Sequence, residues 1–297
     1  MTEIFEYGQA TLLLGDCLTW LGERAERSIH AVVTDPPYGL LEYTAEQKAK
    51  LRAGRGGVWR IPPSFDGHLR SPLPRFTVLT KADLQNLQDY FSAWAQALRP
   101  RLVPGAHVLV ASNPLVSPYV SMALTGAGLE RRGEIVRLVM TMRGGDRPKG
   151  AHHEFSEVTV MPRAQWEPWL LYREPIETKT VADNLRKWKT GGLRRVSDAQ
   201  PFGDVIKSHP TGTVERKIAQ HPSLKPQSFL RRVVRAMLPL EEGIILDSFA
   251  GSGSTLAAAQ AVGYESVGVE ADPAYFQVAR DAIPALAALP VRADRPE

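Results

Sequence analysis

Apolar residues in this chain occur in two patterns, which predict alternating strands and helices. Short apolar runs bounded by glycine, proline or polar residues predict buried strands. These runs cover residues 11–15, 29–34, 107–111, 134–142, 169–172, 243–247 and 265–269. Apolar residues at helical spacing predict helices over residues 18–21, 84–98, 118–124, 229–238, 256–262 and 275–283. The alternation predicts an α/β fold with a mostly parallel, layered sheet.

The composition is typical of a globular α/β domain with an insertion. Of 297 residues, 43% are hydrophobic and 23% are charged, which is ample material for a core. The net charge of +4 permits a polyanionic partner without requiring one. The single cysteine, Cys17, excludes an intrachain disulfide and suits a reducing, cytoplasmic compartment, where we expect it to be a small buried hydrophobe. We expect neither a signal peptide nor a membrane span, which needs about 20 apolar residues in a row.

Residues 34–39, with the sequence TDPPYG, directly follow an apolar strand. Neither proline can donate a hydrogen bond to a neighbouring strand, and each restricts the residue before it to extended backbone. The sequence therefore predicts a stiff arm at the carboxyl end of a strand, with Asp35 and Tyr38 at its tip. In an open α/β sheet, ligands bind at this edge.

A carboxylate, a rigid carbonyl and an aromatic ring suit the chemistry of a planar exocyclic amine. If Asp35 accepts one amino hydrogen and the Pro36 carbonyl accepts the other, the nitrogen lone pair localises and becomes nucleophilic. Tyr38 can then stack on a base held outside its duplex. The alternative is that this stretch is an ordinary turn at the end of a strand, since Asp and Pro are turn formers.

The last third of the chain has the plan of a nucleoside-binding unit: a strand, a glycine loop, a helix, a second strand and an acid. Gly251 and Gly253 allow close approach of a ligand, and Glu270 can accept hydrogen bonds from ribose hydroxyls. A dinucleotide fingerprint needs a third glycine where this chain has Leu256, which disfavours NAD. Asp247 would repel a pyrophosphate but suits a cationic amino-acid group, and S-adenosylmethionine has both that group and a ribose.

Four stretches together resemble the amino-DNA methyltransferases of the permuted class called beta. They are TDPPYG at 34–39, HPSLKP at 221–226, DSFAGSG at 247–253 and GVE at 268–270, with the catalytic arm first and the cofactor loop last. The resemblance implies a circularly permuted, Rossmann-like methyltransferase fold with helices on both faces of the sheet and an inserted target-recognition region. It implies S-adenosylmethionine as cofactor and a catalytic arm made of Asp35, Pro36, Pro37 and Tyr38.

The resemblance also implies a set of cofactor-binding residues. These are Asp16, Asp35, Lys225, Asp247, Phe249, Gly251, Ser252, Gly253 and Glu270. Asp247 is expected near the methionine amine, Glu270 at the ribose, and Asp16, on the neighbouring strand, near the adenine edge. For Lys225 two interpretations stay open: an ion pair with the cofactor carboxylate, or a surface salt bridge.

Two basic segments are candidates for contact with DNA, and both have a solvated surface segment as the alternative. The loop over residues 40–81 carries Trp59 among basic residues that include Lys48, Lys50, Arg52, Arg55, Arg60 and Arg70. The segment over residues 178–220 corresponds to the target-recognition region, between a catalytic part at 1–177 and a cofactor-binding part at 221–297. Its candidate DNA-binding residues are Arg186, Lys187, Lys189, Arg194 and Arg195.

The sequence thus predicts a site-specific methyltransferase that modifies adenine N6 in double-stranded DNA. Adenine is preferred because cytosine-N4 enzymes tend to carry Ser in place of Asp35. The alternatives are a cytosine-N4 enzyme, an RNA methyltransferase and a DNA-binding module without activity. By analogy we expect a homodimer from a bacterium or phage, associated with the nucleoid, and a partner restriction endonuclease is compatible with the sequence. We expect no metal site, because the adjacent His152 and His153 would point to opposite faces of a strand.

Overall fold

A computed structural model describes most of the chain. The described residues are 3–37, 80–139, 145, 147–148, 150–221 and 224–291. Tyr38 and nearly all of the predicted DNA-contacting loop over 40–81 lie outside them, as do Pro222 and Ser223.

The described residues contain one mixed sheet of nine strands. The strands are β1 (Ile4–Tyr7), β2 (Ala10–Leu14), β3 (Ile29–Thr34), β4 (Leu102–Ala111), β5 (Glu130–Leu138), β6 (Trp166–Arg173), β7 (Val205–Lys207), β8 (Ile244–Asp247) and β9 (Glu265–Glu270). Their order across the sheet is β1-β2-β9-β8-β3-β4-β6-β5-β7. The pairs β2–β9, β9–β8, β8–β3, β3–β4 and β5–β7 are parallel, and the remaining three pairs are antiparallel. The prediction of a mostly parallel sheet is confirmed.

Helices cover both faces of this sheet. They are α1 (Cys17–Glu23), α2 (Lys81–Leu98), α3 (Ser117–Gly126), α4 (Val181–Trp188), α5 (Thr213–Ile218), α6 (Gln227–Met237), α7 (Ser254–Val262) and α8 (Pro273–Ala287), and a short 3-10 turn, Arg99–Arg101, follows α2. Since successive side chains of a strand point to opposite faces, β3 contributes to two cores. Val32 packs in the core of α1, α2 and α3, whereas Ala31 and Val33 pack in the core of α6 and α7.

The order of the strands brings the two ends of the polypeptide together. β3, from the first part of the chain, pairs in parallel with β8, from the last part, and β2 pairs in parallel with β9. The residues that follow β3 and β8 therefore leave the sheet side by side at its carboxyl edge. This is the permuted arrangement that the resemblance implied.

The structure also departs from the sequence predictions in several elements. β5 begins at Glu130 rather than at residue 134, because a strand near the sheet edge tolerates the charged residues that precede the apolar run. β1, α4, α5 and β7 were not predicted. His152 and His153 lie in a turn, not a strand, and their ring centroids are 4.1 Å apart. Within the described residues, no helix combines the length and apolar character that crossing a membrane requires.

Candidate active site

A buried hydrogen bond joins the two predicted halves of the site. Thr34 ends β3 and Asp247 ends β8, and the Thr34 hydroxyl donates to Oδ1 of Asp247 over 2.6 Å. Both residues are buried, at 0% and 3% exposure. The catalytic arm and the cofactor loop therefore leave the sheet from positions that are fixed to each other.

Both halves line one cavity at the carboxyl edge of the sheet. Its walls are Asp35, Trp169, His221, Lys225, Leu230, Asp247, Phe249, Ala250, Gly251, Ser252, Ser254 and Thr255. The structure thus brings together six of the predicted site residues, from Asp35 in the first part of the chain to Ser252 in the last. Pro36 is buried and Pro37 exposed, which places the arm at the rim of the protein.

Asp247 is a carboxylate in an unfavourable environment for charge. Burial raises its pKa to about 6, although hydrogen bonds from the Thr34 and Thr255 side chains and from the Phe249 amide act in the opposite direction. An anion that is buried among neutral donors gains from a cationic partner. Asp247 therefore suits the positively charged amine of an amino-acid ligand.

The two glycines of the loop have different reasons to be glycine. Both have positive φ, +53° at Gly251 and +73° at Gly253. A Cβ on Gly251 would lie 3.1 Å from the His221 ring at the cavity wall, whereas a Cβ on Gly253 would lie 2.5 Å from the Ile283 side chain in the core. The lack of a side chain at Gly251 thus leaves room at the cavity wall beside the backbone, and the lack of one at Gly253 allows α7 to pack on α8.

Glu270 ends β9 and is held by backbone amides. Its Oε2 accepts from Gly251 N over 2.7 Å, and its Oε1 accepts from Asp272 N over 2.8 Å. Burial raises its pKa, and these amides act against that increase. Each carboxylate oxygen has a second lone pair, so Glu270 can still accept hydrogen bonds from hydroxyl groups.

Asp16 was predicted on the strand next to Glu270, but it lies two residues after the end of that strand, β2. Leu14 of β2 is the register partner of Glu270, and Gly15 N donates to the Glu270 carbonyl over 2.8 Å. Asp16 itself caps α1, accepting from Thr19 N over 2.8 Å. This cap gives Asp16 a structural role at the edge where the adenine was expected.

Phe249 packs against an aromatic cluster that the sequence predicted only as core. Its ring centroid lies 6.2 Å from that of Tyr90 and 5.8 Å from that of Trp94, both on α2. The Cys17 thiol lies 3.8 Å from the Tyr90 hydroxyl. Burial raises the pKa of Cys17 to about 11, so it stays a thiol at neutral pH.

Lys225 forms an ion pair, but not the surface salt bridge that was one of its two interpretations; the pairing with the cofactor carboxylate stays a prediction. Its ammonium nitrogen lies 2.5 Å from Oδ2 of Asp35 and 3.3 Å from Oε1 of Glu167. The Lys225 side chain is 11% exposed, so this is a buried ion pair rather than a surface one. Burial lowers the pKa of Lys225, but the charges of Asp35 and Glu167 outweigh that effect, and the net change is upward.

Sequence reasoning assigned no individual role to three residues of this region. His221 stacks edge-on with Tyr275, with centroids 4.5 Å apart, and its place at the start of the HPSLKP stretch was the available signal. Trp169 and Glu167 come from β6. Glu167 gave no sequence signal, because it meets Lys225 only through the pairing of strands.

The candidate DNA-binding residues lie at the other edge of the sheet. Asn184 of α4 donates to the Pro104 carbonyl near the start of β4, which anchors Arg186, Lys187 and Lys189 at the amino edge. Their side chains pair there with acids: Arg186 with Asp183, Lys187 with Glu177 and Lys189 with Glu242.

The other two candidate residues, Arg194 and Arg195, lie near the end of α6, also at the amino edge. Arg194 N bonds to the Ala236 carbonyl near the end of α6, and its side chain pairs with Glu241. The Arg195 carbonyl accepts from Arg235. The structure therefore does not bring these five residues to the cavity.

The residues around the cavity fit S-adenosylmethionine. Asp247 suits the amine and Glu270 the ribose, and Gly251 allows close approach of the backbone. The Ser248 hydroxyl, beside this loop, is buried and has no hydrogen-bond partner among the described residues. Among the same residues, no three His, Cys, Asp or Glu side chains come together as a metal site would require.

Comparison with known families agrees with this geometry. The sequence model of the N6/N4 methyltransferase family, described as DNA methylase, matches residues 29–281. The chain belongs to this DNA methylase family. It is a DNA methyltransferase that uses S-adenosylmethionine.

Curated type II methyltransferases are similar to this enzyme over most or part of its length. M.HindIII of Haemophilus influenzae is 24% identical over 278 residues, which are 85% of this chain and 88% of that protein. M.ScaI of Streptomyces caespitosus is 35% identical over 138 residues, which are 42% of this chain and 44% of that one.

Solved structures share the fold. A DNA modification methylase of Thermus thermophilus, in complex with S-adenosyl-L-methionine, has a TM-score of 0.58 at 18% identity and covers 95% of both chains. The cytosine-N4-specific PvuII DNA methyltransferase has a TM-score of 0.57 at 14% identity, over 96% of this chain and 88% of that chain. The methyltransferase fold is therefore shared with an N4 enzyme.

Proposed function

We propose that this DNA methyltransferase modifies the N6 amino group of an adenine that is flipped out of duplex DNA. One observation carries the proposal: the Asp35 carboxylate and the glycine loop of β8 line the same cavity. A methyl donor on the loop and an amine at the arm can then meet across that cavity, so positioning supplies much of the acceleration.

In this proposal the arm supplies the acceptors for the amine. Asp35 accepts one amino hydrogen and the Pro36 carbonyl accepts the other, which localises the nitrogen lone pair. Pro37 stiffens the arm, and Tyr38 stacks on the flipped base. Asp35 takes up a proton only after attack has made the amine cationic, so it need not be a strong base.

The last third of the chain binds the cofactor in this proposal. Asp247 binds the methionine amine, Glu270 the ribose hydroxyls, and Asp16 lies at the adenine edge. The loop from Phe249 through Gly251, Ser252 and Gly253 lies along the ligand. S-adenosylmethionine supplies an electrophilic methyl carbon on its sulfonium.

Adenine is proposed over cytosine because of Asp35. The Asp-Pro-Pro-Tyr stretch resembles the adenine-N6 enzymes, whereas the cytosine-N4 enzymes tend to carry Ser at this position. Cytosine N4 is the second candidate, since a cytosine-N4-specific enzyme has a similar fold. Duplex DNA, a homodimer and a partner endonuclease also belong to this proposal.

For contact with DNA, the carboxyl edge is the relevant side of the protein. In the sequence, the loop over 40–81 comes after β3, whose last residue, Thr34, lies at this edge. Of the segment over 178–220, β7 runs parallel to β5 and its end, Lys207, reaches the same edge. We therefore expect recognition to depend on residues after β7 more than on the five basic residues before it.

The test is methyl transfer from labelled S-adenosylmethionine by wild type and Asp35→Ala. We expect the variant to lose about a thousandfold or more in rate, within the range of general acid–base groups, while the Kd for S-adenosylmethionine changes little. Asp183→Asn, at the amino edge, is the control for loss of a carboxylate and should keep normal activity. Near-normal turnover by Asp35→Ala would contradict the proposal.

Nucleoside analysis of the product identifies the base. N6-methyladenine supports the proposal, and N4-methylcytosine supports the second candidate. The same assay with RNA in place of duplex DNA tests an RNA target. Absence of incorporation into both DNA and RNA by the wild-type protein would favour a DNA-binding module without activity.

A further inference from the structure

Four charged side chains of alternating sign form a buried row at the carboxyl edge. Asp35 pairs with Lys225, Lys225 with Glu167, and Glu167 with Arg137, over 2.5, 3.3 and 2.8 Å. Their side chains are 15%, 11%, 15% and 5% exposed, in that order. Three of them come from strands or strand ends far apart in sequence, so the fold builds the row.

The two oxygens of Glu167 are in different situations. Oε2 accepts from Arg137 Nη1 over 2.8 Å. Oε1 faces the Lys225 ammonium at 3.3 Å, yet it is buried and makes no hydrogen bond of good geometry with the described residues. A buried carboxylate oxygen in this state is an acceptor with capacity to spare, aimed at a cation.

Arg137 holds Glu167 in a fixed position. Its Nε donates to the Ser208 hydroxyl and its Nη2 to the His209 carbonyl, both over 3.0 Å. Its guanidinium lies 5.1 Å from the centroid of the Phe229 ring. With one oxygen fixed by Arg137, Glu167 can only turn its other oxygen toward Lys225.

This arrangement meets a problem in the proposed chemistry. Asp35 must turn toward the substrate amine and accept one of its hydrogens, but in this structure the charged hydrogen bond from Lys225 to Oδ2 holds the carboxylate in one orientation and competes for its negative charge. The charges of Asp35 and Glu167 keep the pKa of Lys225 above its ordinary value, so the ammonium stays charged. His221 and Arg137 also face this group, and a buried ammonium that loses its partner is strongly destabilised.

We propose that Glu167 is a positioning residue, which takes over the Lys225 ammonium when the Asp35 carboxylate turns to the substrate amine. Arg137 positions Glu167 for this transfer and links it to the backbone at residues 208–209. The inference rests on the role proposed above for Asp35. It adds a device that releases the catalytic carboxylate without leaving a buried cation unpaired.

The test measures single-turnover methyl transfer by Glu167→Gln, which keeps the shape of the side chain and removes its charge. Without Glu167, the ammonium stays on Asp35, so we expect the rate to fall about a hundredfold, the cost of a misplaced reacting group, with the KM for DNA and the Kd for S-adenosylmethionine essentially unchanged. Glu174→Gln is the matched control. Glu174 is also 15% exposed and pairs with Arg99, but at the amino edge of the sheet, so its rate should equal that of wild type.

A second substitution separates release of Asp35 from a structural role. In Glu167→Gln/Lys225→Gln the ammonium is gone, so the double variant should transfer methyl groups faster than Glu167→Gln alone. Additive losses, or a wild-type rate in Glu167→Gln, would overturn the inference. If Glu167→Gln does not fold, Arg137→Lys is the deciding variant, because it keeps the charge and loses the contacts with Ser208 and His209. A slower rate at unchanged KM supports the inference, and a wild-type rate refutes it.

The failure of this inference can be distinguished from failure of the proposed function. If Asp35→Ala is active, the role of Asp35 is wrong. If Asp35→Ala is inactive and Glu167→Gln is normal, only the role of Glu167 is wrong.

Discussion

In the proposed function, Asp247 serves cofactor binding at the expense of stability. Its carboxylate is buried, and its pKa of about 6 exceeds the usual value of an aspartate. Between the ordinary pKa and about 6, the folded chain holds a proton that the unfolded chain has released. Stability therefore falls as the pH rises through this window, and the loss persists above pH 6.

We predict that Asp247→Asn is more stable than wild type at pH 8 by about 1–2 kcal/mol. A shift of one pKa unit corresponds to about 1.4 kcal/mol, and the altered hydrogen bonds of the amide remove part of this gain in stability. The same variant should bind S-adenosylmethionine at least about tenfold more weakly, because it lacks the anion. Urea unfolding at pH 4 and pH 8 and a binding titration measure both effects.

The matched control for this prediction is Asp281→Asn. The Asp281 side chain is 76% exposed, so its loss should change neither stability nor cofactor affinity appreciably. An Asp247→Asn protein that is less stable than wild type at pH 8, yet binds the cofactor normally, would show that Asp247 is a structural anchor alone.

At the scale of elements, the sequence predicted those that apolar residues hold in place. The bounds of β3 match the prediction, and β8, β9 and α2 differ from it by a few residues. The missed elements are short and carry few buried apolar residues. The buried residue of α4 is Asn184, and β7 lies beside the strand that carries Arg137. Apolar periodicity cannot reveal a helix whose anchor is an amide.

The residues of the candidate site likewise differ in how far the sequence could reveal them. Asp35 belongs to one local motif, and Asp247 and Gly251 to another, so the sequence could indicate that each motif lies at the cavity. Lys225 and Glu167 meet Asp35 through pairing of distant strands, and no spacing in the sequence encodes that contact. The placement of the basic residues at the amino edge depends likewise on where α4 packs.

The position of α4 leads to a prediction about DNA binding. Lys187 pairs with Glu177 and lies 5.2 Å from the Trp188 ring centroid, at the edge opposite the cavity. Lys187→Gln should therefore leave the DNA affinity within about twofold of wild type, and the salt dependence of binding unchanged. Lys207→Gln, at the carboxyl edge, should weaken binding and lower the salt slope by about 0.9, the value for one phosphate contact.

Titration of labelled duplex DNA at several salt concentrations measures both variants. The reverse result, a reduced slope for Lys187→Gln and none for Lys207→Gln, would place the DNA on the amino edge. It would also restore the original interpretation of the basic residues at 186–195 as the DNA-contacting set.

At the scale of the whole molecule, the first and last parts of the chain form one sheet. β2 pairs with β9 and β3 with β8, and Thr34 bonds to Asp247 across the second pair. Neither part can bury both faces of its strands without the other. Loss of either part therefore exposes the core of the other, and we expect the described fold to unfold cooperatively.

This cooperativity predicts how the cofactor acts on stability. S-adenosylmethionine at a hundredfold excess over its Kd should stabilise the fold by about 2.7 kcal/mol and raise the midpoint of one single thermal transition by about 5 °C. The same concentration of NAD should leave the midpoint unchanged, because Asp247 repels a pyrophosphate. Calorimetry with each ligand tests this prediction. Two separate transitions, of which S-adenosylmethionine shifts only one, would contradict it. The cofactor-binding part would then fold on its own, and the two permuted parts would not form one cooperative unit.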